Sequence, residues 1–98
     1  MTRRPAKWMV PLDERILEIL RSEGWSAPGY IARKVSLFAS IGRVRERCQM
    51  LSDVELVEPL TKEKEHYEIT GKGQRYLKGE LDAGTLPKPS PRKALPPW

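Results

Sequence analysis

Apolar residues recur through the first half of this chain with the period of an α-helix. In PLDERILEILRSE, Leu12, Ile16, Ile19 and Leu20 share one side, and Asp13, Glu14, Arg15, Glu18 and Arg21 take the other. That is the stripe of a helix packed on one face. Pro11 near the start and Asp13 and Glu14 in the first turn suit an N-terminus, and Gly24 suits a stop, so a helix is predicted over 12–22. Gly24-Trp25-Ser26 is a connector in which Trp25 has room for a strand of one or two residues. Ser26 or Ala27 opens a short second helix, 27–35, with Pro28 in its first turn and Tyr30, Ile31 and Val35 as apolar positions. Ser36–Ala39 reads as a turn whose Leu37 and Phe38 need burial.

The stretch GRVRERCQML, 42–51, carries two periods at once. Arg43, Arg45 and Arg47 alternate as on a strand, but Ile41, Val44, Cys48 and Leu51 recur at helical spacing. Read as a helix from an N-cap at Ser40 to about Asp53, it buries that stripe. Gly42, Arg43, Arg45, Glu46, Gln49 and Met50 then face outward, with Arg47 at the margin. Beyond it, LVEPL (56–60) and YEIT (67–70) read as strands joined by the charged loop TKEKEH. Pro59 makes the first strand an edge or keeps it short. Thr70 caps a last helix, 71–83, with Tyr76, Leu77 and Leu81 inside and Gly71 and Gly73 weakening its first turn.

Three helices, a two-stranded ribbon and a fourth helix, in that order, predict a mainly α fold with a small β-hairpin. The arrangement is a winged helix-turn-helix: a three-helix core, a two-stranded wing and a C-terminal helix. At 98 residues the chain has room for one domain. It reads as a basic N-terminal arm (1–10) whose Trp8, Met9 and Val10 dock on the domain, a winged domain (11–83) and a basic tail (84–98). Five of the fifteen tail residues are proline, so an extended tail is expected. The net charge of +5 sits at the ends, +3 in the arm and +3 in the tail against −1 across 11–83. Within the balanced middle, five basic residues lie between Arg33 and Arg47 with only Glu46 against them. Local positive charge on a balanced domain is a footprint of a polyanion partner.

A helix-turn-helix lays its second helix in the DNA major groove, which is about 12 Å wide; in this chain that is the helix from Ser40. Arginine's forked donors suit guanine edges and phosphates. Arg43 and Arg45 are therefore candidates for bases or adjacent phosphates, and Arg47 and Ser40 for phosphates. Gly42 would let DNA come close, Glu46 fits an ion pair with Arg43 better than a cytosine contact, and Gln49 completes the outward arc. Lys62 and Lys64 in the wing loop would flank the minor groove, and Arg3, Arg4 and Lys7 would follow the backbone.

The remaining chemistry is sparse. His66, the sole histidine, reads as a wing residue, and Cys48, the sole cysteine, as a small core hydrophobe that excludes an internal disulfide. No Cys/His cluster offers a zinc site, no serine has a His and Asp to activate it, and no apolar run approaches a membrane span. The expected class is a binding protein of the cytoplasm and nucleoid, not an enzyme, with no cofactor or small-molecule ligand.

GRVRERCQMLSDVELVEPL, followed by HYEITGKGQRYLKGELDAG, resembles the small winged-helix DNA-binding proteins of haloarchaea, the phiH-type phage repressor family. The opening WMVPLDERILEILRSEGW is similar too, so the likeness covers roughly 8–83. PLDERILEIL, RVRERC and YEITGKGQRYLKGELD are its most specific parts. The resemblance implies a prokaryotic repressor or regulator that binds DNA through the third helix, Ser40 to Met50.

Three departures stand out. Val54-Glu55 replaces the family's usual Ala-Gly pair before the first wing strand, so the helix is expected to end differently. The turn between Ile31-Ala32 and Val44 is about two residues longer than in a generic helix-turn-helix. The chain is basic where haloarchaeal proteins are usually acidic. In molar salt, phosphate contacts lose much of their effect, and base contacts and shape would carry more of the affinity.

The sequence reading is therefore a sequence-specific regulator of double-stranded DNA, a repressor, acting through helix 40–53. A homodimer fits, because a domain this small usually needs two copies on DNA. The rival reading is a protein-interaction or nonspecific architectural winged helix.

Overall fold

The computed structural model describes residues 2–35, 39–63 and 65–89. Its elements are α1 (Pro11–Glu23), β1 (Trp25–Ser26), α2 (Pro28–Val35), α3 (Ile41–Asp53), β2 (Val57–Pro59), β3 (Tyr67–Ile69) and α4 (Gly71–Leu77). A 3-10 turn, Ala83–Thr85, follows. β1 and β2 both pair antiparallel with β3, giving the order β1-β3-β2, with Trp25 and Glu58 on either side of Glu68. The sheet thus has three strands rather than two, because Trp25-Ser26 closes its open edge.

One core joins the helices to the sheet. Ile16, Leu17 and Leu20 of α1, Ile31 of α2, and Val44, Cys48 and Leu51 of α3 are fully buried, as is Tyr67 of β3. Tyr76 of α4 is buried with them. Ser40 caps α3, its Oγ accepting from Arg43 N at 3.0 Å, and Thr70 caps α4 by accepting from Gly73 N at 3.1 Å.

The last helix is shorter than its pattern suggests. Gly79 takes φ +79°, Gly79 N donates to Tyr76 O, and Glu80 N donates to Arg75 O. That bonding closes the helix after Leu77, because the left-handed residue turns the chain away from the axis. α3 ends in the same way, with Glu55 N on Ser52 O and Leu56 N on Leu51 O. There the left-handed residue is Glu55, at φ +67°.

The arm and the start of the tail are parts of the domain. Ala6 is buried in the core, and Trp8 and Met9 pack against it. Arg4 forms a parallel bridge with Asp82, and Ala83 N donates to Arg4 O at 2.9 Å. Leu86 packs on the core and Pro89 is buried, so 84–89 is anchored where an extended tail was expected. Leu37, Phe38, Lys64 and the tail from Ser90 lie outside the described residues.

Candidate nucleic-acid interface

α3 presents two chemically different sides. Its buried side is Val44, Arg47, Cys48 and Leu51, and its exposed side includes Gly42, Arg43 and Arg45. Glu46 and Gln49 are half-buried on the outer arc, and the Gln49 Oε1 is covered with no partner among the described residues.

Arg47 belongs to the inner side, which corrects its assignment as a phosphate contact. Its Nε donates to Asp13 Oδ1 at 2.8 Å and its Nη2 to Asp13 Oδ2 at 2.7 Å. Nη2 also reaches Trp8 O at 3.2 Å, and the guanidinium lies over the Trp8 ring, 5.9 Å from its centroid. Asp13 accepts a further bond from Val10 N at 3.0 Å. Asp13, placed on the polar side of α1 by periodicity, is fully buried. A buried charge needs a partner and hydrogen bonds, and each of these two supplies the other's. Asp13 holds the Arg47 guanidinium above its ordinary pKa, against a smaller opposing effect of burial.

Arg3 is likewise held by the fold. Its Nη1 bonds Glu14 at 2.9 Å and Glu18 at 2.7 Å, and its Nε donates to Leu77 O at 3.0 Å. Tyr76 Oη donates to the other oxygen of Glu14. Burial first, and then Glu14, pushes the Tyr76 phenol up. Arg3 therefore ties the arm to α1 and α4, whereas Arg4 and Lys7 are exposed.

The exposed candidates are arranged unequally. Arg43 Nη1 pairs with Glu46 Oε1 at 2.7 Å, the arrangement favoured from sequence. Arg45 is exposed and has no carboxylate partner among the described residues. A Cβ built on Gly42 would meet nothing closer than Ser40 Oγ at 4.0 Å, so the space beside the helix is open there. α2 adds cations, with Arg33 and Lys34 lying 5.8 and 5.6 Å from the Tyr30 ring centroid. Arg33 is one turn beyond Gly29, which faces Ile41 at the start of α3. These α2 residues were visible only as charge in the basic run.

The wing is short, with Leu60 N donating to His66 O at 2.9 Å and Lys62 exposed at its tip. The sheet's opposite character sharpens the basic surface. Glu58 stands directly across from Glu68, and their shared hydrogen bond is the main reason that the Glu68 carboxyl is raised above its usual range. Trp25, in the same row, is 56% exposed and packs its ring edge-on to His66. Among the described residues no group of His, Cys, Asp or Glu is arranged to hold a metal, and no helix is long and apolar enough to cross a membrane.

A three-helix core carrying a two-stranded wing, with a basic second motif helix, defines a winged helix-turn-helix protein. The chain belongs to the winged helix-turn-helix phage repressor family, whose description it matches over residues 1–89. This is a family of DNA-binding regulators. A similar solved structure is the PhiH1 repressor-like protein from Haloarcula marismortui, with 35% sequence identity and a TM-score of 0.81. The match covers 90% of this chain and 98% of that one. Among curated protein sequences none matches. The family match takes in the arm and residues 84–89, the segments that the fold ties to the domain.

Proposed function

We propose that this protein is a sequence-specific double-stranded DNA-binding transcriptional repressor that reads the major groove with α3. The observation that carries the reading is the division of labour on that helix. Val44, Arg47, Cys48 and Leu51 anchor it from within, and Gly42, Arg43 and Arg45 are left outside with no packing duty. Arg45 has both donors of its fork available for a guanine or a phosphate, and Arg43 is held in place by Glu46. Ser40 and the first amides of α3 suit a phosphate, and Arg33, Arg4 and Lys62 are exposed cations assigned to the same DNA backbone. A second copy on a repeated half-site supplies the specificity that one domain of this size lacks. The activity is binding, with no chemical step.

Selection from a randomised duplex pool, followed by sequencing, tests the reading. An enriched site is expected, with Arg43→Ala or Arg45→Ala relaxing the preference at one position at a cost of about 1–3 kcal/mol. Binding without an enriched site would replace it with the architectural reading.

A further inference from the structure

Ile41 breaks the pattern of α3. Its spacing to Val44, Cys48 and Leu51 places it on the buried stripe, yet it is 48% exposed. It is the first residue of the helix, after the Ser40 cap, where the core beneath the stripe runs out. Its Cδ1 lies over Gly29 of α2, where an added methyl group would touch it in ordinary contact at 3.7 Å. Its chain neighbour is Gly42, beside which the space is open, and one turn on comes Arg45, exposed on the same flank. The result is a half-exposed apolar side chain beside two glycines and an arginine with no carboxylate partner among the described residues, at the end of the helix that leads into the groove.

Of the groups on the major-groove floor, only one is apolar: the 5-methyl of thymine. Polar or charged residues at this point would read donors and acceptors, and an isoleucine reads none. We propose that Ile41 is a specificity-determining residue that packs on the methyl of a thymine, so that the preferred DNA site carries a thymine opposite the first turn of α3. The inference rests on the groove reading and adds one base-reading contact to it.

Deoxyuridine tests it directly, since it keeps the pairing of thymine and removes only the methyl. Each thymine of the selected site is replaced in turn, and binding is measured for the wild type, Ile41→Ala and Ile41→Val. At one position the wild type is expected to bind the uracil duplex about fourfold more weakly, the worth of one buried methyl-sized group. Ile41→Ala is expected to bind the two duplexes equally, and Ile41→Val to fall between. A variant damaged only in folding would weaken on both duplexes and keep the ratio. Uracil insensitivity at every thymine, or an undiminished ratio in Ile41→Ala, overturns the proposal while leaving the groove reading in place. Failure to select any site overturns both.

Discussion

Arg47 of α3 and Asp13 of α1 form a two-pronged ion pair beneath the helix that carries the basic surface, at 2.8 and 2.7 Å. Trp8 closes the node from the arm, through its carbonyl and its ring. The arm and the start of α1, neighbours in sequence, therefore meet the distant α3 at one guanidinium. The node fixes how α3 lies on α1, and with it where Arg43 and Arg45 point.

Breaking that pair from one side should be costly. Asp13→Asn or Arg47→Ala leaves a buried charge without its counterpart, so a loss of about 3–5 kcal/mol is expected. Replacing both, as Asp13→Leu with Arg47→Met, exchanges the ions for apolar bulk and should cost much less. Urea unfolding of the three variants gives the comparison. If Arg47→Ala unfolds at the wild-type midpoint, the buried node is absent in solution.

The two arginines should also differ on DNA. Arg45→Ala removes an exposed cation, so a weaker complex and a salt dependence shallower by about one ion are expected if Arg45 meets a phosphate. If it meets a base, one position of the preferred site relaxes instead. The Asp13→Leu, Arg47→Met pair removes no cation that faces the DNA, so it should leave the salt slope as it was. Titrations at several salt concentrations separate the cases. A shallower slope in the paired variant would put Arg47 back on the DNA.

Two backbone positions carry opposite expectations. Glu55 ends α3 in the left-handed region at φ +67°, a conformation that costs a residue with a side chain about 1–2 kcal/mol. Glu55→Gly should therefore raise stability by about 1 kcal/mol, less what is lost with the Glu55–Lys72 ion pair at 2.7 Å. Gly73 is the reverse case. A Cβ there would stand 2.3 Å from Leu56 O and 2.6 Å from Ile69 Cγ1, so Gly73→Ala should cost about 1–3 kcal/mol by overpacking. Thermal melts of both variants check the signs.

Most of the fold was legible because apolar spacing and capping residues agree along the chain. α1, α2 and α3 lie within about a residue of their expected bounds at each end. Arg47 was misplaced although its spacing was informative. It falls three residues after Val44 and four before Leu51, on the buried stripe, and only its charge argued for the surface. Its partner lies 34 positions away, beyond the reach of local patterning. The same holds for Arg3, whose carboxylates come from α1 and whose carbonyl comes from α4. Gly73 read as a weak helix former, since the close approach of Leu56 exists only after the wing folds back. The exposed candidates on α3 were legible because nothing in the core competes for them.

The core also sets a limit at high pH. Burial pushes the Cys48 thiol from an ordinary 9.0 to about 12. Burial likewise moves the Tyr67 phenol from 10.0 to about 12, and raises that of Tyr76. All three are neutral when protonated, so the folded state disfavours their ionised forms. The folded pKa values exceed the unfolded ones, and the unfolded chain releases these protons first as pH rises. Their contribution is therefore complete below about pH 9, where the unfolded thiol begins to ionise, and is lost progressively up to about pH 12. Urea midpoints should be flat from pH 7 to 8.5 and fall steeply above 9, with the thiol contributing first. Cys48→Ala should be less stable at neutral pH, because it opens a small cavity. Its decline should begin nearer pH 10, where only the phenols remain. A thiol reagent at pH 8 should modify Cys48 no faster than the protein opens, since the side chain is fully buried. Rapid labelling of the native protein would show that the stripe holding α3 in place is open to solvent.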